Sequence, residues 1–139
     1  EKYEMGTLNI AGVAGLNAAL KWIKEQTIER LYQKEETRRH RLLTLLADCD
    51  FLTVVGNVTG RRYVGIVSCL LNGISSDSAG SIFAERDISV RTGLHCAPKA
   101  HQFLRTYPAG TIRFSVSSLT NDDDFEELKS ALGDIEMNM

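Results

Sequence analysis

Arg62–Leu71 constrains the fold more than any other stretch of this chain. Its apolar residues occupy both alternations, with Val64 and Ile66 beside Ser68 on one side and Tyr63, Val67 and Cys69 on the other. A strand with one wet face carries polar residues at every second position, so this pattern predicts a strand buried between layers. Such a strand needs neighbouring strands and a covering of helices, and the rest of the chain supplies both.

Upstream, Leu16, Ala19, Leu20 and Ile23 recur at helical spacing and predict a helix near residues 8–25, with Thr7 or Asn9 as its N-cap. A second helix is expected over residues 27–47, carrying Ile28, Leu31, Leu42, Leu45 and Leu46 on its apolar side. Its charged stretch from Lys34 to Arg41 reads as a solvated face. Phe51–Val55 is a short strand, and Gly56–Gly60 a loop. Beyond the central strand come a helix over Ser75–Arg86, a strand over Ile88–Arg91, a short helix opened by Pro98, and a strand over Thr111–Ser117. The last helix begins at Asn121, with Asp122, Asp123 and Asp124 placed where the helix dipole favours negative charge. This order predicts an α+β fold: a small, mostly antiparallel sheet packed against helices.

With 139 residues, one domain is expected, large enough to bury a proper core. A net charge of −2 argues against a nucleic-acid or membrane surface, which a basic stripe would normally announce. No apolar run approaches the roughly 20 residues that span a bilayer, and no secretory signal opens the sequence. The three cysteines form no Cys-x-x-Cys pair and have no matching histidine pair. Zinc, other metals and a disulfide framework are therefore not expected, and a reducing cytoplasm is the natural setting. The sequence opens on Glu1 within what reads as a motif, so the chain is expected to be cut from something longer.

The chemistry-bearing segment is Arg91-Thr92-Gly93-Leu94-His95-Cys96-Ala97-Pro98. It sets a cysteine among an arginine, a histidine and turn-forming residues, and positive neighbours favour the thiolate that attacks. Cys49 and Cys69 sit in apolar runs and read as core residues. On the residues alone, Cys96 is either a nucleophile or a structural cysteine. His95 adjoins it, yet neighbouring side chains on extended backbone point to opposite faces, which disfavours a direct pair. Arg113 shares a strand face with Thr111, Ser115 and Ser117, while Ile112, Phe114 and Val116 take the other. It is either a rigid fork for a carboxylate or phosphate, or a surface arginine, and Arg91 has the same two readings. Gly6-Thr7 with Asn9, Gly12 and Gly15 is either an anion-approach segment or plain capping with tight packing.

In order along the chain, these pieces resemble the C-terminal part of class V aminotransferase-fold enzymes, specifically the cysteine desulfurases. Glu4-Met5-Gly6-Thr7-Leu8-Asn9 with Gly12 and Gly15-Leu16 is similar to the family's Glu-x-Gly-Thr-x-Asn segment. Val90–Ala97 is similar to its catalytic cysteine loop, Gly110–Ser115 to its substrate-arginine strand, and Thr120-Asn121 with the acidic helix to its closing segment. Leu8 departs from a frequent proline, and Asp122 from a frequent threonine after Asn121.

The resemblance implies the C-terminal small domain of a fold-type I transferase that depends on pyridoxal 5'-phosphate, here residues 1–139 with the large domain missing. Cys96 would attack the sulfur of a cofactor-bound cysteine, keep it as a persulfide and release alanine. Arg113 would clamp the substrate α-carboxylate, with Arg91 supporting it. Thr7 would reach the cofactor phosphate of the partner subunit in a homodimer. His95 and Asn121 would complete the loops around the site. L-cysteine or L-selenocysteine would be the substrate, with a sulfur-acceptor protein as a further partner. The family carries its Schiff-base lysine in the absent N-terminal domain, and Lys2, Lys21, Lys24, Lys34, Lys99 and Lys129 stand in no comparable segment. The chain alone is accordingly expected to hold no cofactor productively and to be inactive. The same fold also serves selenocysteine lyases, aminotransferases and epimerases, and a cofactor-free sulfur-carrier module would use Cys96 as well.

Overall fold

A computed structural model describes residues 6–137, so Lys2 and the Glu4-Met5 start of the first motif lie outside the described residues. The chain divides into two compact units, residues 1–33 and 34–139.

In the first unit, α1 (Ile10–Gln26) is capped by Asn9, whose Oδ1 accepts the Gly12 amide at 2.9 Å. Thr7 is exposed and stands before the cap. No residue of α1 is buried: Leu16 and Leu20 remain 60% and 56% exposed. α2 (Ile28–Ala47) starts in this unit and continues into the second.

In the second unit, β1 (Leu52–Val55), β2 (Ile66–Leu71), β4 (Thr111–Ser115) and β3 (Arg91–Gly93) pair in that order, antiparallel throughout. One sheet face, built from Leu52, Val67, Cys69, Leu71, Ile112 and Phe114, joins a core with α2, α3 (Ser76–Ala84) and α5 (Asp122–Met137). Phe83 of α3 is fully buried and meets Phe114 edge-on at 5.3 Å between ring centroids. This is the small antiparallel sheet with helices that the alternation of elements implied.

The sheet differs from the sequence reading in several places. Residues 62–65 precede β2 instead of opening it, because their backbone groups bond elsewhere. The Gly65 amide goes to Glu35 Oε1 at 2.7 Å, and Ile66 N–H turns back on the Val64 carbonyl. A Cβ at Gly65 would fall 2.0 Å from the Val116 carbonyl oxygen, so only glycine permits this approach. Nor is β2 buried on both sides: Val67, Cys69 and Leu71 are covered, whereas Ile66 is 41% exposed. Finally, β3 is Arg91–Gly93 and not Ile88–Arg91. The Ile88 amide is tied to the Phe83 carbonyl at 3.0 Å, and a groove of about 540 Å³ separates Ile88 and Ser89 from Ser115 and Val116.

The charged stretch of α2 does more than meet solvent. Arg38 donates to the Thr120 carbonyl, Arg39 stacks on Tyr63 and donates to Asn57, and Arg41 bridges Asp122 while lying over Phe125. These contacts tie α2 to the start of α5 and to the loop before β2.

Candidate functional site

Antiparallel register decides which side chains share the second face of the sheet. Ser68 pairs with Arg113, and Arg113 with Arg91, so all three form one row across β2, β4 and β3. The adjacent row pairs Thr111 with Gly93 on the same face. Ile112 and Phe114 take the opposite face into the core, which leaves Arg113 half-buried on a strand anchored from behind. Such an arginine is a rigid fork, pre-organised for a planar anion. Its Nε is buried without a hydrogen-bond partner among the described residues. A buried guanidinium N–H left unpaired is costly unless something anionic reaches it.

β3 delivers the chain into the cysteine loop. Gly93 and Gly110 both have positive φ, and a Cβ on Gly110 would lie 2.2 Å from the Gly93 carbonyl. That contact presses the two strand ends together at the base of the loop. Next, the Ala97 amide bonds to the Leu94 carbonyl at 2.8 Å, closing a turn around His95 and Cys96. Both central residues have positive φ, 50° and 60°, the pattern of a type I′ turn. The backbone here is not extended, so the alternation that was to separate His95 from Cys96 does not operate. The two residues nevertheless take different surroundings. Cys96 is exposed, while His95 is half-buried with Nε2 at 3.2 Å from Thr111 Oγ1.

α4 (Pro98–Phe103) closes this end of the face, with proline in its first turn. His101 of α4 is buried, its Nδ1 lies 2.6 Å from Thr106 Oγ1, and its ring sits 5.7 Å from that of His95. Burial depresses the His95 pKa, and the positive charges of Arg113, His101 and Arg91 add to that, while a bond to the Thr111 backbone opposes them. These surroundings favour the neutral form of the His95 ring beside two arginines.

Register and the Thr111 contact bring Arg91, Arg113 and His95 together, and Cys96 follows His95 in the exposed half of the turn. Asn121 has a different occupation: its Oδ1 accepts the Asp124 amide at 3.0 Å, and Asp124 Oδ2 accepts the Asn121 amide at 2.8 Å. This reciprocal cap starts α5. Thr7 belongs to the first unit, where Asn9 does the capping, and a Cβ on Gly12 would strike the Asn9 side chain. Sequence reasoning passed over His101 and Thr111. A histidine five residues beyond Cys96, in the short helix that follows it, was the available signal for the first.

The other two cysteines are placed differently. Cys69 is fully buried and its thiol is pushed up to about 12, chiefly by burial. Cys49 is also raised, by burial first and then by Glu136, Asp48 and Asp50. All three cysteines are free. Among the described residues, no group of three or more His, Cys, Asp or Glu side chains is placed to hold a metal. No helix of the described residues is long and apolar enough to cross a membrane.

Pyridoxal phosphate needs an amine for its aldehyde and donors for its phosphate. The cluster offers guanidinium, imidazole and hydroxyl groups, and Lys99 next to it is exposed on α4. These residues fit a substrate carboxylate and a sulfur nucleophile; they do not fit the cofactor's aldehyde.

An antiparallel α+β unit that presents a cysteine turn beside a strand arginine defines a recognisable class. The chain matches the aminotransferase class-V family model over residues 1–128, and it belongs to that family. It is 28% identical over 132 residues to a probable cysteine desulfurase of Xylella fastidiosa, covering 94% of this chain and 30% of that relative. Among solved structures, it is similar to a cysteine desulfurase from Thermococcus onnurineus at a TM-score of 0.84 and 24% identity, covering 99% of this chain and 34% of that one. A cysteine desulfurase from Escherichia coli follows at 0.77 and 25%, covering 99% and 33%. The chain therefore spans about a third of the length of these relatives.

Proposed function

We propose that this chain is the C-terminal small domain of a pyridoxal-phosphate-dependent cysteine desulfurase that moves sulfur from L-cysteine to Cys96. The observation that carries the reading is Arg113: an unpaired buried Nε–H on a rigid strand, on the face where Thr111 meets His95 of the Cys96 turn. A carboxylate satisfies that donor and leaves the rest of a small amino acid free to lie toward the thiol. Arg91, opposite Arg113 in register, adds positive charge to the same anion site. Cys96 then attacks the substrate sulfur. The new S–S bond forms as the substrate Cβ–S bond breaks, and the electron pair of that bond leaves with the carbon fragment, which departs as alanine once protonated. When bound, the cofactor supplies the electron sink.

The remaining parts of the reading follow the family. Selenocysteine is an alternative substrate, and a sulfur-acceptor protein removes the persulfide. The complete enzyme is a cytoplasmic homodimer in which Thr7 contacts the partner's cofactor phosphate. This chain alone is inactive, because its site lacks an amine for the cofactor. An exposed cysteine in a strained turn favours sulfur transfer over transamination or epimerisation, which need no thiol.

The test is the full-length protein with pyridoxal phosphate and L-cysteine, wild type against Cys96→Ala. Alanine release that disappears in the variant is expected. Full activity of Cys96→Ala would move the function to another class V reaction.

A further inference from the structure

His95 holds a ring nitrogen that the reading above leaves unused. Its Nδ1 is buried and has no hydrogen-bond partner among the described residues. The other nitrogen, Nε2, faces the Thr111 hydroxyl at 3.2 Å. When Nε2 donates to that hydroxyl, Nδ1 keeps its lone pair. Thr111 is itself 2% exposed and fixed in β4, two residues from Arg113 on the same face. A bare, buried acceptor thus stands beside the carboxylate fork and next in sequence to the nucleophile. The charged and titratable groups around it are Arg113 on β4, Arg91 on β3, His101 on α4 and Cys96 in its own turn. The first three oppose a second positive charge, so the ring stays neutral and able to accept.

We propose that Nδ1 of His95 accepts a hydrogen bond from the substrate's own thiol and takes its proton during sulfur transfer, an inference that rests on the desulfurase reading. As the Cys96 thiolate bonds to the substrate sulfur, the S–H proton passes to Nδ1 and the sulfur remains on Cys96 as a persulfide anion. The Cβ–S electron pair leaves with the carbon fragment. With either substrate the carbon takes its proton from solvent, which completes the methyl group of alanine, and His95 gives its own proton to solvent, which restores the neutral ring. Atoms and charge balance with no added oxidant or reductant.

The step distinguishes thiol from selenol, because a selenol is already ionised at neutral pH and has no proton to give. In the full-length, cofactor-loaded protein, His95→Asn keeps a polar atom near Nδ1 and tolerates positive φ, but accepts no proton. The expected result with L-cysteine is a kcat loss of about 100-fold. With L-selenocysteine the expected loss stays within about threefold, since no general base is needed. Equal losses on both substrates would mark a structural role and overturn the inference, as would no loss on either. Absence of alanine from the wild type overturns the desulfurase reading and takes the inference with it. Nitrogen NMR of histidine-labelled protein gives a second readout: a neutral ring at pH 7 protonated on Nε2 is expected, and protonation on Nδ1 contradicts the proposal.

Discussion

The two faces of one sheet obey different rules. Toward α2, α3 and α5, β4 contributes Ile112 and Phe114, 1% and 4% exposed, in a core with no charged member. On the other face the same strand presents Thr111, Arg113 and Ser115, and two polar nitrogens there, Arg113 Nε and His95 Nδ1, have no partner among the described residues. The first face is satisfied within the chain. The second is built to meet something else. A single strand serves both because side-chain direction alternates every residue, so packing behind holds chemistry in front.

The contrast can be broken by substitution, and the effects should rank. Cys96→Ala in the full-length enzyme should abolish persulfide formation and alanine release, measured by mass and amino-acid analysis, while the fold is kept because Cys96 is exposed. On the packed face, Phe83→Ala should cost about 3–5 kcal/mol in a denaturant titration, whereas Ser68→Ala on the opposite face should stay within about 0.5 kcal/mol. Arg113→Lys keeps the charge but loses the fork, and should lower kcat/KM by about 10- to 100-fold, mainly through KM. Near-equal stability costs at Phe83 and Ser68 would erase the distinction between the faces.

Alkylation should sharpen it. Cys96 should react first, Cys49 slowly, and Cys69 only on unfolding, since burial lifts its thiol to about 12. The smallest effect concerns pH. The His95 pKa lies below its ordinary value of 6.5, so the unfolded chain takes up a proton before the folded one does. Stability should therefore hold above that ordinary value and decline as pH falls below it toward the folded pKa. His95→Gln should flatten that decline in unfolding midpoints measured across the range.

Much of this was legible in the sequence where local pattern and packing agree. α3 and α5 were, because caps and periodicity coincide there: Ser75 Oγ accepts the Ser78 amide, and Asn121 pairs with Asp124. The alternation across Thr111–Ser115 placed Arg113 opposite Ile112 and Phe114, and the structure keeps that division. What failed to show depends on contacts distant in sequence. The reading of Arg62–Leu71 as doubly buried counted Tyr63 and Val64 into the strand, yet the Tyr63 hydroxyl pins the Val58 amide at 2.7 Å and Gly65 is claimed by Glu35 of α2. The role of Lys34–Arg41 was hidden for the same reason, since its partners Thr120 and Asp122 lie some 80 positions away. In the site, no periodicity rule announces two successive residues of positive φ without glycine, so the turn at His95-Cys96 and its link to Thr111 became visible only in three dimensions.

The central claim is that sulfur arrives at the end of the arginine-bearing face and nowhere else. The most direct measurement is the mass of the three cysteine peptides after one turnover of the full-length, cofactor-loaded protein with L-cysteine. The expected result is one added sulfur on the Cys96 peptide, with the Cys49 and Cys69 peptides unchanged. Alanine release with the sulfur on Cys49, or with no protein-bound sulfur at all, would contradict the account.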